Sequence, residues 1–526
     1  MSKQASRREF LRATSIPLVT GLSGLPLAGA GRPLLAMNAG ASPERGESPG
    51  SIVVENSSLP VQVQEAVLFS FDDQSIPFSS GLKLDLLMGK KPGHANPIVV
   101  RQGQPGEPDS ERVRYYGTVI EVGEELRMWY LGRGDKYDPS GGPLRLLYAV
   151  SKDGIHWEKP KLALIDYNGS KQNNLVDLME GKYGLSESVV IYDPEDPDPA
   201  RLFKLVFEAG KYGNRLAVAY SPDGLRWNES PKNPLGPVLE PSGLIRFNGY
   251  YYVNGQGGGY ISAGLNRMMV TFASYDFEHW TQAGALSFHR APITEYSLQQ
   301  WNTLEEVHLG ASLMGRGNVI LGVYGMWHGV PSGDRSYVTM DLGLVVSNDG
   351  LHFREPIPGF KFLPSREELE VPLGRGPSLA RGQGMVGIGD KTLYWYEAWG
   401  SGGVRLATWE RDRFGYLRPF NNARDPHVVS CPMRFERAGA RLFLNADGLS
   451  DNTQLTVELL GRDFQPLPGY SGEDCVPLRT SGFRQAVRWR NKETLEAFSL
   501  PTHLRVKFEG VRPEDAKLYA IYVASE

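Results

Sequence analysis

The sequence has little cysteine and no long hydrophobic run. Of its 526 residues, only Cys431 and Cys475 are cysteines. Neither lies beside a cluster of cysteines and histidines, which argues against a zinc site. In an oxidising compartment the two thiols either form a disulfide or remain separate buried groups, because a sequence gives no distance between them. No segment has the roughly 18 uninterrupted apolar residues of a membrane-spanning helix, so we expect no transmembrane segment.

An excess of charge of either sign is also absent. The chain has 56 Lys and Arg against 60 Asp and Glu, which gives a formal net charge of −4. Proteins that bind nucleic acid or an anionic membrane surface through charge are usually basic. We therefore expect neither of these as a partner.

Long amphipathic helical patterns are missing as well, whereas turn-forming residues are abundant. The chain contains 61 glycines and 37 prolines, together with many aromatic residues. This combination is typical of a mostly β protein with many turns. The sequence therefore favours an all-β fold class.

A seven-residue phrase that occurs four times sets the expected architecture. It begins Ser-x-Asp and ends in Trp or Phe, and its copies lie at residues 151–157, 221–227, 274–280 and 347–353. Each copy follows a short apolar run, and Asp and Gly favour the tight turn between two antiparallel strands. The first serines of successive copies are 70, 53 and 73 residues apart. That spacing is long enough for one four-stranded sheet per copy.

This period predicts a β-propeller. A degenerate fifth copy at residues 408–414 brings the predicted number of blades to five. The alternative is a β-sandwich array that uses the same Asp-Gly turn repeatedly. We predict that the five-bladed propeller spans residues 61–420. Residues 421–526 contain about five runs that alternate apolar and polar residues, which predicts a β-sandwich or jelly-roll module that braces the propeller or binds sugar.

The N-terminus predicts export. Residues 6–12, Ser-Arg-Arg-Glu-Phe-Leu-Arg, precede a weakly apolar stretch at residues 13–30. This pattern is similar to a twin-arginine signal peptide. We expect residues 1–36 to be the signal, residues 37–60 to be a linker, and the Tat export machinery to be a partner. The protein would then be periplasmic or extracellular; a disordered basic N-terminus is the alternative.

Candidate site residues follow from the propeller geometry. The innermost strand of each blade lines the central channel, so polar residues at the heads of these strands converge at one mouth. The sequence places Tyr116, Glu187, Glu240, Glu306 and Gln383 at the heads of the five strands in chain order. Cleavage of a glycosidic bond needs one protonated and one ionised carboxyl group. Three glutamates at one mouth would supply both.

The repeated turns and the strand pairs around them resemble the five-bladed glycoside hydrolases of families 32, 43, 68 and 130. They are most similar to a divergent set of exported bacterial proteins of the family-32-like type, and the likeness covers about residues 95–418. In those families an Asp at the head of the first blade is the base or nucleophile. A second Asp supports the transition state, and a Glu donates the proton.

The resemblance implies roles for individual residues. The first-blade Asp falls at Tyr116-Gly117, so this chain departs from the families by lacking a carboxylate there. The second Asp corresponds to Glu240, which precedes a proline as the Asp of those families does. The proton donor corresponds to Glu306. A register shift of one residue would exchange it for Glu305, because neighbouring strand side chains point to opposite faces.

The sequence thus predicts an exported carbohydrate-active enzyme that hydrolyses a glycosidic bond. Glu306 is the expected proton donor, with Glu240 or Glu187 as its ionised partner. An aromatic ring, Trp327, is expected to stack on the sugar, and the expected positioning residues are Tyr116, Arg133, His308 and Gln383. We expect no catalytic metal and no cofactor. The acidic turn at residues 193–199 is expected to be a stiff proline-rich surface turn, and a structural calcium ion there is the alternative. The alternatives are a non-catalytic glycan-binding propeller and a glycoside phosphorylase or lyase.

Overall fold

A computed structural model describes residues 51–91, 98–134, 144–182, 184–257, 267–290, 305–329, 338–367, 378–399 and 402–525. The predicted twin-arginine signal, residues 1–36, and the first part of the predicted linker lie outside the described residues. Within these ranges, no helix combines the length and the apolar character that a membrane crossing requires. The helices found there are short 3-10 turns at Met179–Gly181, Pro199–Arg201, Gly210–Tyr212, Ser365–Glu367 and Pro513–Asp515.

Six short strands come first along the chain. They are β1 (Ile52–Val54), β2 (Val61–Val63), β3 (Glu65–Phe69), β4 (Phe78–Ser80), β5 (Leu82–Leu86) and β6 (Ile98–Arg101). β1, β3, β4 and β5 pair with strands from the C-terminal part of the chain, and β2 joins the same sheet by pairing with β1. Only β6 joins the sheets of the middle part.

The middle part forms successive antiparallel sheets, each with its first strand innermost. The first sheet contains β7 (Arg112–Val122), β8 (Glu125–Arg133) and β9 (Arg145–Ser151). The second contains β10 (Leu185–Tyr192), β11 (Phe203–Ala209), β12 (Ala217–Ser221) and β13 (Asn228–Glu229). The third contains β14 (Leu239–Phe247), β15 (Tyr250–Gly257), β16 (Met269–Ser274) and β17 (Ala285–Phe288). The fourth contains β18 (Glu305–Arg316), β19 (Val319–His328), β20 (Thr339–Ser347) and β21 (Lys361–Leu363).

A fifth sheet closes the ring. It contains β22 (Leu379–Ile388), β23 (Lys391–Ala398) and β24 (Gly403–Glu410), and β6 completes it by pairing with β24. β22 also pairs in parallel with β7 through Gln383 and Thr118. The innermost strands contact one another in chain order, and the last returns to the first. This circular arrangement is that of a β-propeller, so the predicted fold class is confirmed.

The repeated phrase forms a turn, and in the first copy this turn is also hydrogen-bonded to another sheet. In the first copy, Ser151 Oγ accepts the N–H of Gly154 at 2.8 Å, and Asp153 Oδ1 accepts the N–H of His156 at 2.8 Å. The other three copies repeat both hydrogen bonds. The Gly154 carbonyl also accepts the indole N–H of Trp395 from the fifth sheet at 3.0 Å. In this copy the phrase therefore fixes a turn and links two blades.

The degenerate fifth copy does not form this turn. Thr408 and Trp409 lie within β24, so the chain stays extended where the phrase predicts a reversal. Glu410 takes the place of the turn-forming Asp, and the ring of Trp409 stacks on Phe362 with a centroid distance of 4.4 Å. The chain turns directly after β24, where the carbonyl of Glu410 accepts the N–H of Arg413 at 2.9 Å, so this copy lies at a turn of a different kind.

The C-terminal strands form two sheets together with the N-terminal ones. They are β25 (Gly415–Pro419), β26 (His427–Val429), β27 (Met433–Phe435), β28 (Arg441–Asp447), β29 (Thr453–Leu460), β30 (Gly482–Ala486), β31 (Phe498–Gly510) and β32 (Lys517–Ala524). One sheet has the order β2-β1-β27-β31-β26-β4, with β29 beside β31. The other has the order β30-β28-β32-β25-β5, with β3 beside β32. Their apolar core contains Cys431 and Cys475, and both are free buried thiols rather than a disulfide.

The predicted domain boundaries differ from the observed sheets. β1 lies within the predicted linker, and β2 to β5, predicted as part of the propeller, belong to the two C-terminal sheets. β25 also belongs to the C-terminal sheets, although residues up to 420 were expected in the propeller. The physical reason is that a short apolar run indicates a strand without indicating its partner, and here the partner lies at the other end of the chain.

Candidate active site at the channel mouth

Every innermost strand has a β-bulge near the end where it begins. The bulges fall between Arg114 and Thr118, Leu185 and Glu187, Pro241 and Gly243, His308 and Ala311, and Arg381 and Met385. A bulge re-aims the side chains beside it, and bulges are common next to active sites. We call this end of the channel the mouth, because charged and aromatic side chains from all five sheets interact there.

Three glutamates of the second and third sheets form what we call the carboxyl cluster. Glu187 and Glu208 lie opposite each other on β10 and β11 and are only 5% and 6% exposed. Glu240, on β14, accepts a hydrogen bond from the amide of Gln256 at 2.7 Å. Glu187 Oε2 is buried without a hydrogen-bond partner. The cluster therefore presents an unsatisfied oxygen at the mouth.

The carboxyl cluster holds protons. Burial raises the pKa of Glu187 well above its usual value, while Arg114 and Arg381 oppose the rise. The negative charges of Glu240 and Glu208 raise it further. Burial, and then the charge of Glu240, raise the pKa of Glu208 to about 7. Burial also raises the pKa of Glu240, against the charges of nearby arginines. Because like-charged carboxyls this close titrate as a unit, the cluster stays partly protonated at neutral pH.

Glu306 belongs to the fourth sheet and lies beside a cation. Its carboxylate is 3.5 Å from Nε of Arg267. The Arg267 guanidinium also lies over the ring of Trp327, 4.5 Å from the centroid. Trp327 in turn stacks on the imidazole of His308, with centroids 5.6 Å apart and planes 13° from parallel. These four side chains form one continuous surface of an ion pair and two stacked rings.

His308 is a buried neutral ring at this surface. It is 5% exposed, and burial lowers its pKa well below the usual value, as do the positive charges of Arg267 and Arg381. The imidazole also makes an edge contact with Trp399 at a centroid distance of 5.7 Å. A neutral imidazole has one donor and one acceptor nitrogen, which suits it to bind a hydroxyl group.

The first sheet contributes a cation where the resembling families have a carboxylate. Arg114 lies over the rings of Tyr116, at 4.0 Å, and Trp399, at 4.6 Å. Tyr116 is 2% exposed, and burial raises the pKa of its phenol. Arg381 lies 5.4 Å from the same ring and donates to Ser242 Oγ. Guanidinium groups therefore occupy the region where the resemblance implies an Asp.

Two further predicted positioning residues are Gln383 and Arg133. Gln383 donates to the carbonyl of Leu244 at 2.8 Å and accepts from its N–H at 2.7 Å. Both ends of this amide are used to link the fifth and third sheets, so Gln383 braces the channel instead of holding a sugar. Arg133 lies at the end of β8, opposite Arg112, at the rim of the mouth.

Glu305, the alternative proton donor, faces away from the stacked rings. Its carboxylate contacts Arg290 and lies 2.9 Å from Nδ1 of His328. These partners lower its pKa, although burial opposes them. Because neighbouring strand residues point to opposite faces, Glu306 is the residue of this pair that joins the mouth.

The acidic turn considered for calcium is ion-paired. Asp193 lies 3.0 Å from Nζ of Lys204 and 2.7 Å from Nη1 of Arg246. Asp196 lies 2.7 Å from the same lysine nitrogen. In the described ranges no group of three or more His, Cys, Asp or Glu side chains has a metal-binding arrangement. The oxygens of this turn are already held by cations.

A search restricted to the heads of innermost strands omits several residues of the mouth. Glu208 is on a second strand, and only its register opposite Glu187 connects it to the mouth. The hairpin register between these two strands was the signal that could have found it. The arginines of the mouth, Arg114, Arg267 and Arg381, have no repeated motif around them, and sequence spacing did not indicate them.

Comparison with known proteins gives the following. No family model matches the sequence. The chain is 32% identical over 121 residues to an uncharacterized protein of Mycobacterium tuberculosis, in each of two strains, and the match covers 22% of this chain. The chain spans about a third of the length of these curated relatives, namely 34%.

Several solved structures are similar. One is a glycosyl hydrolase from Bacteroides ovatus, with 16% identity and a TM-score of 0.42, covering 65% of this chain and 97% of that chain. Another belongs to glycoside hydrolase family 130, a family of mannoside phosphorylases that contains glycoside hydrolases targeting β-1,2-mannosidic linkages in Candida mannan. It has 16% identity and a TM-score of 0.41, and the match covers 62% of this chain and 94% of that chain. A third is a family 32 β-fructofuranosidase from Bombyx mori in complex with sucrose, with 12% identity and a TM-score of 0.35, covering 81% and 94%.

Proposed function

We propose that the protein is a carbohydrate-active enzyme that hydrolyses a glycosidic bond at the mouth of its propeller. The observation that carries the proposal is the coexistence there of a proton-holding carboxyl cluster and an ion-paired carboxylate, Glu306. Glycosidic cleavage needs one carboxyl group that protonates the leaving oxygen and a second, ionised one that activates water or attacks carbon. The mouth would supply the protonated carboxyl group from the second and third sheets and the ionised one from the fourth sheet.

Glu208 is the proposed general acid. A general acid works best when its pKa lies near the working pH, and the pKa of Glu208 is raised to about 7. Glu187 has a pKa well above its usual value and an unpartnered oxygen. It would stay protonated and donate a hydrogen bond to the substrate or to Glu208 instead of exchanging its proton during turnover.

Glu306 is the proposed ionised group. The guanidinium of Arg267, 3.5 Å away, stabilises a negative charge on it. The adjacent Trp327 offers an apolar face for a sugar ring, and His308 offers a hydrogen-bonding group for a hydroxyl. The roles expected from the sequence are thus revised, because the proton comes from the carboxyl cluster and Glu306 carries the charge.

A second candidate function is glycan binding without turnover. The observation that favours it is the first sheet, where Arg114 lies over Tyr116 at the position for which the resemblance implies an Asp. A mouth of this kind retains aromatic and cationic contacts for a sugar. The two candidates differ in one measurable property, which is whether a bound glycoside is cleaved.

The test uses aryl glycosides whose leaving groups differ in acidity, after a panel has identified a cleaved sugar. Replacing Glu208 by Gln is expected to lower kcat/KM about 100-fold or more for a poor leaving group such as an alkyl alcohol. The loss should be much smaller for 4-nitrophenolate, which leaves without protonation. Replacing Glu306 by Gln should slow both substrates alike, because the ionised group acts on the sugar carbon or on water.

Glu305→Gln is the matched control, since Glu305 neighbours Glu306 on the same strand but faces away from the mouth. Its folded fraction should keep the activity of the wild-type protein. Binding of a glycan with no cleavage of any panel member, and equal binding by Glu208→Gln, would instead establish the second candidate. Equal losses for both leaving groups in Glu208→Gln would remove Glu208 from the role of acid.

We also propose export through the Tat machinery, which residues 6–12 of the sequence support. The test is to fuse residues 1–36 to a reporter that is active only after export. Replacement of Arg7 and Arg8 by lysine should abolish the signal, and replacement of Arg32, outside the motif, should leave it unchanged. Export that survives the double replacement would contradict the proposal.

A further inference from the structure

Three arginines, which we call the arginine trio, lie side by side at the rim of the mouth. Arg112 and Arg133 are direct cross-strand partners on β7 and β8. Arg114 follows two residues after Arg112 on β7, so the two side chains share one face of the strand. Like charges placed directly opposite each other destabilise a sheet. The cross-strand pair of Arg112 and Arg133 is therefore unfavourable unless negative charge lies beside it.

Several hydrogen-bond donors of the trio are unsatisfied. Nε and Nη1 of Arg133 and Nε of Arg114 are buried without a hydrogen-bond partner. The charge of Glu397 acts on Arg112, but one oxygen of Glu397 already accepts the N–H of Tyr115 at 2.7 Å. A buried donor without an acceptor is unfavourable, and more so when it is charged. The donors thus lack an acceptor that an anionic ligand would supply.

The trio is continuous with the proposed site of cleavage. Arg114 stacks on Tyr116 and Trp399, and Trp399 contacts His308. The charge of Glu187, in the carboxyl cluster, also acts on Arg114. An anion bound by the trio would therefore lie beside a sugar ring that is held against the carboxyl groups of the mouth.

We propose that the substrate is an acidic glycan and that Arg112, Arg114 and Arg133 bind the carboxylate of a hexuronic acid unit. A guanidinium presents parallel donors that match the two oxygens of a carboxylate, and such charge-assisted pairs are short and strong. The inference rests on the proposed function, because it names the substrate class of the same mouth. Inorganic phosphate offers the same oxyanion chemistry without a sugar, so the experiment includes it.

Direct binding to the wild-type protein is the first measurement. Titration of D-glucuronate and D-galacturonate is compared with titration of D-glucose and D-galactose, and with inorganic phosphate alone. Each uronate should bind at least about tenfold more tightly than its uncharged parent sugar, and the difference should shrink at high salt. Equal affinities for charged and uncharged sugars would overturn the inference. Binding of phosphate with no preference for uronates would overturn it too, in favour of a free-phosphate site.

Variants then locate the binding. Arg133→Gln should weaken uronate binding about tenfold and leave the binding of the uncharged sugar unchanged. Arg127→Gln is the matched control on the same strand, because Arg127 pairs with Ile120 far from the mouth. It should bind uronate as the wild-type protein does. Equal losses in both variants would place the uronate elsewhere.

A last arm separates this inference from the proposed function. Glu208→Gln should lose turnover but keep its preference for uronates, since Glu208 is not part of the trio. If uronates bind through the trio but no glycoside is cleaved, the proposed hydrolysis fails and the inference holds. If uncharged glycosides are cleaved and uronates show no preference, the inference fails and the proposed hydrolysis holds.

Discussion

Glu208 lies directly opposite Glu187 on neighbouring strands, and both carboxyl groups are almost excluded from water. Two such groups cannot both ionise at neutral pH, because each charge loses its hydration and repels the other. The difference between them is useful for chemistry. Glu208 has a pKa of about 7, so it alone is poised to exchange a proton in the neutral range.

The rate should depend on pH through Glu208. Its proton-donating form is the neutral carboxyl, so kcat/KM is expected to fall above pH 7 by about tenfold per pH unit. The pH profile of kcat/KM for a poor leaving group checks this. In Glu208→Gln the falling limb should disappear from the residual activity. A limb that persists unchanged in the variant would assign it to another group.

Glu208 should also make stability depend on pH. Its folded pKa of about 7 lies above the ordinary value of 4.5 for a glutamate, so the unfolded state ionises first as pH rises. Stability is therefore complete below about pH 4.5 and falls by roughly 1.4 kcal/mol per pH unit up to about pH 7. Glu208→Gln should be more stable than wild type at pH 8 by roughly 3 kcal/mol at most, with little difference at pH 4.

Urea unfolding at the two pH values measures that effect. Glu305→Gln provides a control of opposite sign, because the pKa of Glu305 is lowered in the folded protein. Its stability contribution is present above the unfolded pKa and is lost as pH falls. The Glu305 variant should therefore be destabilised more at pH 8 than at pH 4. The same change at both pH values in Glu208→Gln would contradict the raised pKa.

Restoring the carboxylate of the resembling families at Gly117 should fail. A Cβ at Gly117 would lie 2.0 Å from the carbonyl oxygen of Trp129, so Gly117→Asp and even Gly117→Ala must displace the β7–β8 hairpin. We expect a loss of roughly 2 kcal/mol or more in stability, read by thermal unfolding. Gly210→Ala is the matched control, since a Cβ there meets nothing within 4 Å. A Gly117→Ala protein as stable as the wild type would contradict this, because it would show that the β7–β8 hairpin accommodates the extra methyl group.

Gln383 should act on stability and not on sugar binding. Gln383→Leu leaves the N–H and the carbonyl of Leu244 without their partners, which should lower stability by roughly 2 kcal/mol or more. The folded fraction should keep the KM of the wild-type protein. Thermal unfolding and steady-state kinetics on the same samples measure both. A raised KM with unchanged stability would return Gln383 to the sugar-binding role that the sequence suggests.

The propeller could be predicted because its signal is local. Each Ser-x-Asp turn is defined by residues close in sequence, and the structure shows the same hydrogen bonds in all four copies. The convergence of Glu187, Glu240 and His308 at one mouth also followed from propeller geometry. What the sequence could not provide was pairing between distant segments. β1 to β5 therefore looked like linker and propeller, although they belong to the two sheets that the C-terminal strands form.

The chemistry of the mouth was harder to predict than its location. A proton donor is defined by burial and by neighbouring charge, and neither is visible in a list of strand heads. The resemblance assigns proton donation to Glu306, yet Arg267 lies beside it. Glu208 has the raised pKa, yet it belongs to a second strand. Arg133 was expected to touch sugar, and its unsatisfied nitrogens became apparent only from burial.

The pairing of β3 with β32 has a consequence for how the molecule is made. Residues 65–69 align with residues 524–520, and β6 likewise depends on β24. A nascent chain therefore leaves the ribosome with its earliest strands unmatched, and they find their neighbours only when the last ones have been translated. Contacts of such long range form slowly, so we expect folding to finish after synthesis. A fragment that lacks β32 would expose the unpaired backbone groups at the edge of β3.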